Sequence, residues 1–557
     1  MKKIYLSLLC CMLVYLGNTQ WTNKTSVNTM VADRNASDIQ TANTNDGHTW
    51  VAYYSQNGDN YDMRAQLLDA YGNRMFGDSG VLVNNRESGS ATFVFNVCVD
   101  NDNNFIIAFQ VTKGADYQCV MQKVSLSGKL LWKKNGVNLG LGLSPYPATL
   151  TTNEIVVAWN NNGKIDYQKV SPDGVAAWGT AKEFGGNSTH NVSRAQLLAG
   201  KQGRFYMVYQ DQFTFPFYTN LFEQKFDNDG NTLWPSAVKI STLTTVTYRY
   251  YDVLIEKDTT YVGYYGNPSG SNRFDAYVQK ISPDRSLPWG TNGSYFANYS
   301  GDNDPFEQTI YIAKEPSSDY VWAVCTITNS LQTKSGVYVQ KYDATTGNNF
   351  FGASAKEVLP ISTKLNSLAF CKLSLCGGEP VFLTTNTSNK LAAVKLKDNG
   401  DLAWGNNIKV IGTSSNSKFR YGFTDFYKGQ AVAVWQEDKG NGEMPYAQNI
   451  NCDGETGSQA SVAAGDIMNA ASNPVSIKNI YPNPVQNNLT VTITSIMQVN
   501  TLIYITDING NVLKQFQQTV QKGKNSVQLN VGNLKAGNYF IKVSGKNVNA
   551  ANMFNKK

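Results

Sequence analysis

Histidine is almost missing from this chain: His48 and His190 are the two in 557 residues. A nucleophile activated by an imidazole has little to build on, which disfavours Ser-His-Asp and Cys-His catalysis. Both histidines read as ordinary hairpin residues, His48 beside a predicted strand and His190 in a loop. Charge is scarce too, at 16% of residues, and the net +6 is spread thinly. Without a basic stripe or run, nothing follows a phosphate backbone, and nucleic acid is not an expected partner. Beyond the N-terminus no stretch approaches the roughly eighteen apolar residues of a membrane-spanning helix. Six cysteines lie outside the N-terminal apolar run: Cys98, Cys119, Cys325, Cys371, Cys376 and Cys452. None forms a C-x-x-C pair or neighbours a histidine, which argues against zinc. They read either as disulfides, with Cys371 and Cys376 the nearest pair, or as buried thiols in strands.

The N-terminus has a basic start, Lys2-Lys3, followed by the apolar run from Ile4 to Leu16. That run is short for a bilayer and sits where a signal-peptide core belongs, so residues 1–20 are expected to be a signal peptide. Cys10 and Cys11 lie inside the core without the small residues of a lipid-modification box. Asn, Thr, Gly and Tyr are plentiful and strong helix formers scarce, which favours short strands joined by polar turns.

One short pattern occurs eight times: an alternating strand ending in Gln-Lys, a turn Gly six residues after the Gln, and an aromatic four residues later. The clearest copies are Gln122-Lys123 with Gly128 and Trp132, Gln168-Lys169 with Gly174 and Trp178, and Gln224-Lys225 with Gly230 and Trp234. Gln279-Lys280 has Arg285 in the Gly place and Trp289. Looser copies are Gln66 with Gly72 and Phe76, Gln340-Lys341 with Gly347 and Phe351, and Val394-Lys395 with Gly400 and Trp404. The last, Gln448 with Gly454, has no aromatic. Copies recur every 46 to 61 residues, so one supersecondary unit repeats with loops of varying length. Each unit reads as four strands, for instance Tyr146 to Leu150, Glu154 to Trp159, Lys164 to Val170 and Ala181 to Phe184. That is the size of a β-propeller blade, and the aromatic is placed to pack between neighbours.

The fold class expected is therefore all-β, an eight-bladed β-propeller over residues 21–455. Seven blades with one irregular unit, or two smaller rings, are the alternatives. Trp21 followed by Val27 to Val31 mimics the aromatic and outer strand that the eighth copy lacks, so the N-terminus is expected to complete that unit and remove an open edge.

The turns Ser171-Pro172-Asp173-Gly174 and Asp229-Gly230 invite comparison with the Asp-box of sialidase-like propellers. Here the carboxylate directly precedes the Gly, one residue out of register, and the turn repeats as a catalytic group would not, so it reads as architecture. Glycosidase chemistry needs only two carboxylates at a set distance, which the sequence does not place; no catalytic, cofactor-binding or metal residue is assigned. The acidic turns Asp100-Asn101-Asp102-Asn103-Asn104, Asp227-Asn228-Asp229-Gly230 and Asp302-Asn303-Asp304 offer oxygens suited to structural calcium, but none is an EF-hand loop, and such clusters commonly just turn the chain. Tyr53, Tyr54, Tyr248, Tyr250, Tyr251, Tyr264 and Tyr265 suit sugar stacking, although adjacent residues alternate across a strand and one of each pair is expected in the core.

From Glu455 to Asn473 the chain is rich in Ser, Ala, Gly and Asn and reads as a linker, residues 456–474. Beyond it come Asn479-Ile480-Tyr481-Pro482-Asn483-Pro484, Leu489 to Ile493, Leu502 to Gly510, and Leu534-Lys535-Ala536-Gly537-Asn538-Tyr539-Phe540-Ile541-Lys542-Val543. Six or seven short strands separated by turn signals make residues 475–557 a small Ig-like β-sandwich. In that order and at the C-terminal end, these motifs resemble the type A C-terminal sorting domain of the bacterial type IX secretion system. The resemblance covers about 80 residues, and Ser544 to Lys557 run past its last strand. It implies recognition by the outer-membrane translocon, removal of the domain on export, and a secreted or surface-displayed protein. The body is expected to be a binding or interaction module for a glycan or surface protein. The competing reading is an extracellular polysaccharide-degrading enzyme, glycosidase or lyase, with carboxylates in the propeller funnel.

Overall fold

The computed structural model describes residues 21–88, 94–214, 217–245, 251–268, 274–298, 306–457, 475–495, 498–507, 512–545 and 548–557. The proposed signal peptide, most of the linker, Tyr248, Tyr250, Asp302-Asn303-Asp304 and Asn509-Gly510 lie outside these residues. The chain divides into two compact units, Met1–Gln459 and Ala460–Lys557.

Among the described residues, eight antiparallel sheets follow one another along the first unit. The third comprises Leu143–Thr149, Ile155–Asn161, Lys164–Val170 and Lys182–Phe184, close to the strands its turn residues predict. In the first seven sheets the strand that comes first lies innermost, and the inner strands of the first six touch in succession. The inner strand of the eighth sheet, Lys418–Phe423, packs on that of the first, Ala36–Asn43, so the first and last sheets are neighbours. The eighth sheet takes its outer strand from the other end of the chain: Thr29–Met30 pairs antiparallel with Glu443–Asn451, Thr29 opposite Ala447. The body is thus propeller-like, and the outer edge of Glu443–Asn451 is covered by a strand of the same chain.

The repeated residues have specific tasks. In six copies the Gln is buried and its amide N–H donates to a backbone carbonyl beyond the turn, such as Gln122 to Lys133 at 2.9 Å and Gln340 to Gly352 at 2.9 Å. Its oxygen accepts from the aromatic's own N–H in three of them, Phe76 at 3.1 Å, Trp178 at 3.2 Å and Phe351 at 3.0 Å. The aromatic then lies on the turn glycine of the following unit: a Cβ on Gly174 would sit 2.5 Å from the Trp132 ring, and one on Gly454 2.7 Å from Trp404. These glycines have positive φ, +80° at Gly174, so the backbone turn and the ring both demand the absence of a side chain. Trp21 supplies the contact missing from the eighth copy, covering Gly72 and donating its indole N–H to Ala70 O at 3.0 Å. Gln448 completes the match by donating to Thr22 O at 2.7 Å.

Second strands are buried on both faces between flanking sheets, as in Thr49–Asn57 and Phe105–Lys113. This corrects the tyrosine expectation: Tyr53, Tyr54, Tyr251, Tyr264 and Tyr265 are all buried, so both members of the described pairs are core. Alternation fails as a guide here because a sheet packed on two sides has no solvent face. The cysteine pairing is also corrected. Cys376 bonds Cys452 across 76 residues with Cα atoms 5.9 Å apart, while Cys371 stays a free thiol. The bond ties the seventh sheet to the turn after the last long strand of the eighth.

The second unit has seven strands in two sheets: Val475–Tyr481, Asn488–Ser495 and Gly523–Asn530 in one, and Val512–Val520, Val499–Thr506, Gly537–Gly545 and Val548–Lys556 in the other. Leu489, Val491 and Ile493 from the first meet Ile503, Ile505, Ile541 and Val543 from the second in one core. The run past the resemblance is the seventh strand, with Phe554 buried in that core.

Candidate functional site

Five inner strands carry a bulge whose extra residue adopts positive φ: Asp38 at +66°, Ser144 at +55°, Arg194 at +55°, Thr309 at +63° and Arg420 at +55°. Bulges bend a strand and re-aim its side chains, and their recurrence on the innermost strands concentrates strained residues where those strands converge. Arg420 lies 3.9 Å from Asp38 across the junction of the last and first sheets. Burial pushes the Asp38 carboxyl upward, against the pull of Arg420.

At the other end of the inner strands, turns from four sheets enclose a cavity of about 450 Å³. Asn43 and Asn45 come from the first sheet, Asp100 and Asn101 from the second, Thr149 and Thr151 from the third, and Asp425 from the eighth. Turn-to-turn hydrogen bonds fix the spacing of this rim: Asn45 N to Asn103 Oδ1 at 2.8 Å, Asn101 N to Asn153 Oδ1 at 2.9 Å, and Gly203 N to Thr151 Oγ1 at 3.0 Å. Asn103 and Asn153 sit at φ +65° and +66°, a conformation asparagine tolerates better than most residues. Amides and hydroxyls dominate the lining. Such groups both donate and accept, which suits a neutral ligand rich in hydroxyls.

Two carboxylates and a lysine complete the central face. Lys372 Nζ is 2.7 Å from Asp425, whose carboxylate also receives Ser374 Oγ at 3.4 Å. Asp252, heading the inner strand of the fifth sheet, accepts the Ile312 backbone N–H at 2.8 Å. Enclosure by neighbouring strands pushes its carboxyl up to about 6, against the pull of that N–H and of Lys372. The sequence reading singled out none of Asp252, Lys372 and Asp425. They belong to no motif, and their proximity depends on the order of the sheets.

The residues the sequence did single out have other tasks. Asp100 accepts Asp102 N at 2.9 Å and Asn104 N at 2.8 Å within its own turn and pairs with buried Lys123 at 2.7 Å. Asp227 likewise accepts from Asp229 N at 2.9 Å and Asn231 N at 2.8 Å. Among the described residues no group of three or more His, Cys, Asp or Glu side chains is placed to hold a metal. His48 Nδ1 is 2.8 Å from Asp46 in a hairpin turn. His190, read as a loop residue, instead heads the strand His190–Ala199, 3.2 Å from Asp211 and packed on Phe213.

Residues 479–555 match the family described as "Secretion system C-terminal sorting domain". The C-terminal unit is a type IX sorting domain following a propeller-like body, which implies recognition by the type IX secretion machinery and export to the cell surface or the medium. No helix among the described residues is long and apolar enough to cross a membrane. No curated protein matches the chain. Among solved structures, the Dos1 propeller is similar at 9% identity over 76% of this chain and 95% of its own, with a TM-score of 0.45. Polysaccharide lyase Uly1 matches at 8% identity over 78% and 100%, TM-score 0.38. The α-L-arabinofuranosidase Arb93A of Fusarium graminearum matches at 11% identity over 55% and 92%, TM-score 0.34. At such scores these likenesses carry no argument about activity.

Proposed function

We propose that this protein is an exported binding module: an eight-bladed β-propeller over residues 21–455, closed by its N-terminal strand, preceded by a signal peptide at 1–20 and followed by a linker at 456–474 and an Ig-like sorting sandwich at 475–557. Its ligand is a neutral, hydroxyl-rich glycan, free or on a surface protein, held at the cavity where the inner-strand turns converge. The observation that carries this reading is the lining of Asn43, Asn45, Asn101, Thr149 and Thr151, groups that exchange hydrogen bonds with sugar hydroxyls, while the carboxylates of Asp100 and Asp425 beside them are already paired with Lys123 and Lys372. The test incubates the full chain with a panel of neutral polysaccharides and measures binding by calorimetry and release of soluble fragments together. Saturable binding without fragments, weakened by Asn101→Ala and Thr151→Ala, is the expected result. Binding indifferent to both substitutions refutes the site.

The second reading, a polysaccharide-degrading enzyme, draws on Asp252 and Asp425, two carboxyls in different environments that both interact with Lys372, one raised by burial and one in an exposed ion pair. Fragments released by the wild type and abolished by Asp252→Asn select it.

A further inference from the structure

We propose that Lys439 and Asn28 join in an intramolecular isopeptide bond, promoted by Glu437, which fastens the N-terminal strand covalently into the eighth sheet. Three functional groups meet there. The amine of Lys439 is 3.1 Å from the side-chain carbonyl oxygen of Asn28. The Asn28 amide nitrogen donates to Ile411 O at 2.8 Å and Gln448 Oε1 at 2.9 Å, so the carboxamide is held on both sides. Glu437 is fully buried, with one oxygen 3.9 Å from the Lys439 amine. Asn28 itself is 6% exposed, the Lys439 side chain is 17% exposed, and the Tyr446 ring lies 4.2 Å from the amine, so the reacting groups are largely shielded from water.

Charge supplies the driving force. Buried Glu437 faces two ammonium groups, Lys418 at 3.5 Å and the partly buried Lys439 at 3.9 Å, which leaves one positive charge in excess around it. Lys418 rests on backbone carbonyls of Asn389, Ser414 and Asn416, where there is no leaving group. Lys439 also donates to backbone carbonyls, Ser26 O at 3.2 Å and Val27 O at 2.9 Å, but its third contact is a carboxamide, where there is a leaving group. Desolvation also weakens the hold of the Lys439 amine on its proton, although Glu437 opposes this. The reaction balances as follows. Glu437 takes a proton from Nζ, and the freed lone pair forms the Nζ–Cγ bond to Asn28. A second Nζ proton and the electrons of the breaking Cγ–Nδ2 bond depart together as ammonia, and the proton on Glu437 converts it to ammonium. The excess charge leaves with it, and Glu437 stays paired with Lys418.

The bond would bridge 411 residues and hold a closing strand only two residues long. The test digests the folded full-length protein and analyses the peptides by tandem mass spectrometry. The expected product is a branched peptide joining Asn28 to Lys439, lighter than its two parts by one ammonia. It is absent from Lys439→Arg, which keeps a cation at the site, and it forms far more slowly in Glu437→Gln. Circular dichroism confirms that each variant is folded. Recovery of separate, unmodified Asn28 and Lys439 peptides in full yield from folded wild-type protein overturns the proposal and leaves Lys439 as an ammonium clip. Formation at an unchanged rate in Glu437→Gln overturns the role given to Glu437.

Discussion

Gly174 and Gly179 lie five residues apart in one turn region and both adopt positive φ, +80° and +71°, yet their substitution by alanine should have different costs. A Cβ on Gly179 meets nothing within 4 Å, whereas one on Gly174 lies 2.5 Å from Cγ and Cδ1 of Trp132. Gly179→Ala therefore incurs only the left-handed backbone penalty, about 1–2 kcal/mol, partly offset by about 0.4–1 kcal/mol from the less flexible unfolded chain. Gly174→Ala carries the same terms plus displacement of a packed indole, about 1–3 kcal/mol. The indole is also tethered by its hydrogen bond to Pro172 O at 2.9 Å, so it cannot simply swing away. The expected difference between the variants is that ring term alone. Urea unfolding followed by tryptophan fluorescence measures it cleanly, because all ten tryptophans lie in the first unit. In a Trp132→Ala background the gap should close. Equal losses in the two glycine variants would refute the interlock between ring and turn as a source of stability. Arg285 stands in the same turn place at φ +77°, and its guanidinium donates to Ser236 Oγ at 2.8 Å.

Other substitutions test the remaining steps. Trp21→Ala removes a buried ring from the ring-closing contact and should cost about 3–5 kcal/mol, seen as an earlier fluorescence transition; no shift would mean the N-terminus is dispensable. Glu223 is fully buried, and desolvation raises its carboxyl to about 8, well above the usual carboxylate range. The folded state therefore binds the extra proton, and stability should fall as pH rises from about 4.5 to about 8 and then level off. Glu223→Gln should flatten that part of the profile, and a matching slope in the variant would count against it. Cys452→Ser opens a bond spanning 76 residues and should cost about 4 kcal/mol on chain-entropy grounds, whereas Cys371→Ser should leave the unfolding midpoint nearly unchanged. Removing residues 475–557 should leave the protein in the periplasm, as fractionation and immunoblotting report; normal export of the truncated chain would contradict the role of the tail.

The repeat was legible because each unit is built largely from contacts within about thirty residues. Gln168, Gly174 and Trp178 recur at fixed spacing since the glutamine binds the turn backbone that carries the aromatic. The same logic exposed Trp21 as the missing piece of the eighth unit, and the sorting domain declared itself by ordered turn and strand motifs. The candidate site was not legible. Asn43, Asn101, Thr149 and Asp425 come from four sheets spread over most of the body, and no local spacing links them.

By itself, then, the sequence determined the all-β class, the repeating unit, the completion of the last sheet by the first strand, and the export signal at the C-terminal end, all of which depend on short-range patterns. The tertiary structure decided which cysteine Cys376 joins, that Tyr53 and Tyr54 are both core, and that Lys372 pairs with Asp425 and acts on Asp252. It also decided that Lys439 meets Asn28 across 411 residues. Those outcomes follow from sheets packing on both faces and from the order in which they close on one another, and separation along the chain carries no record of either.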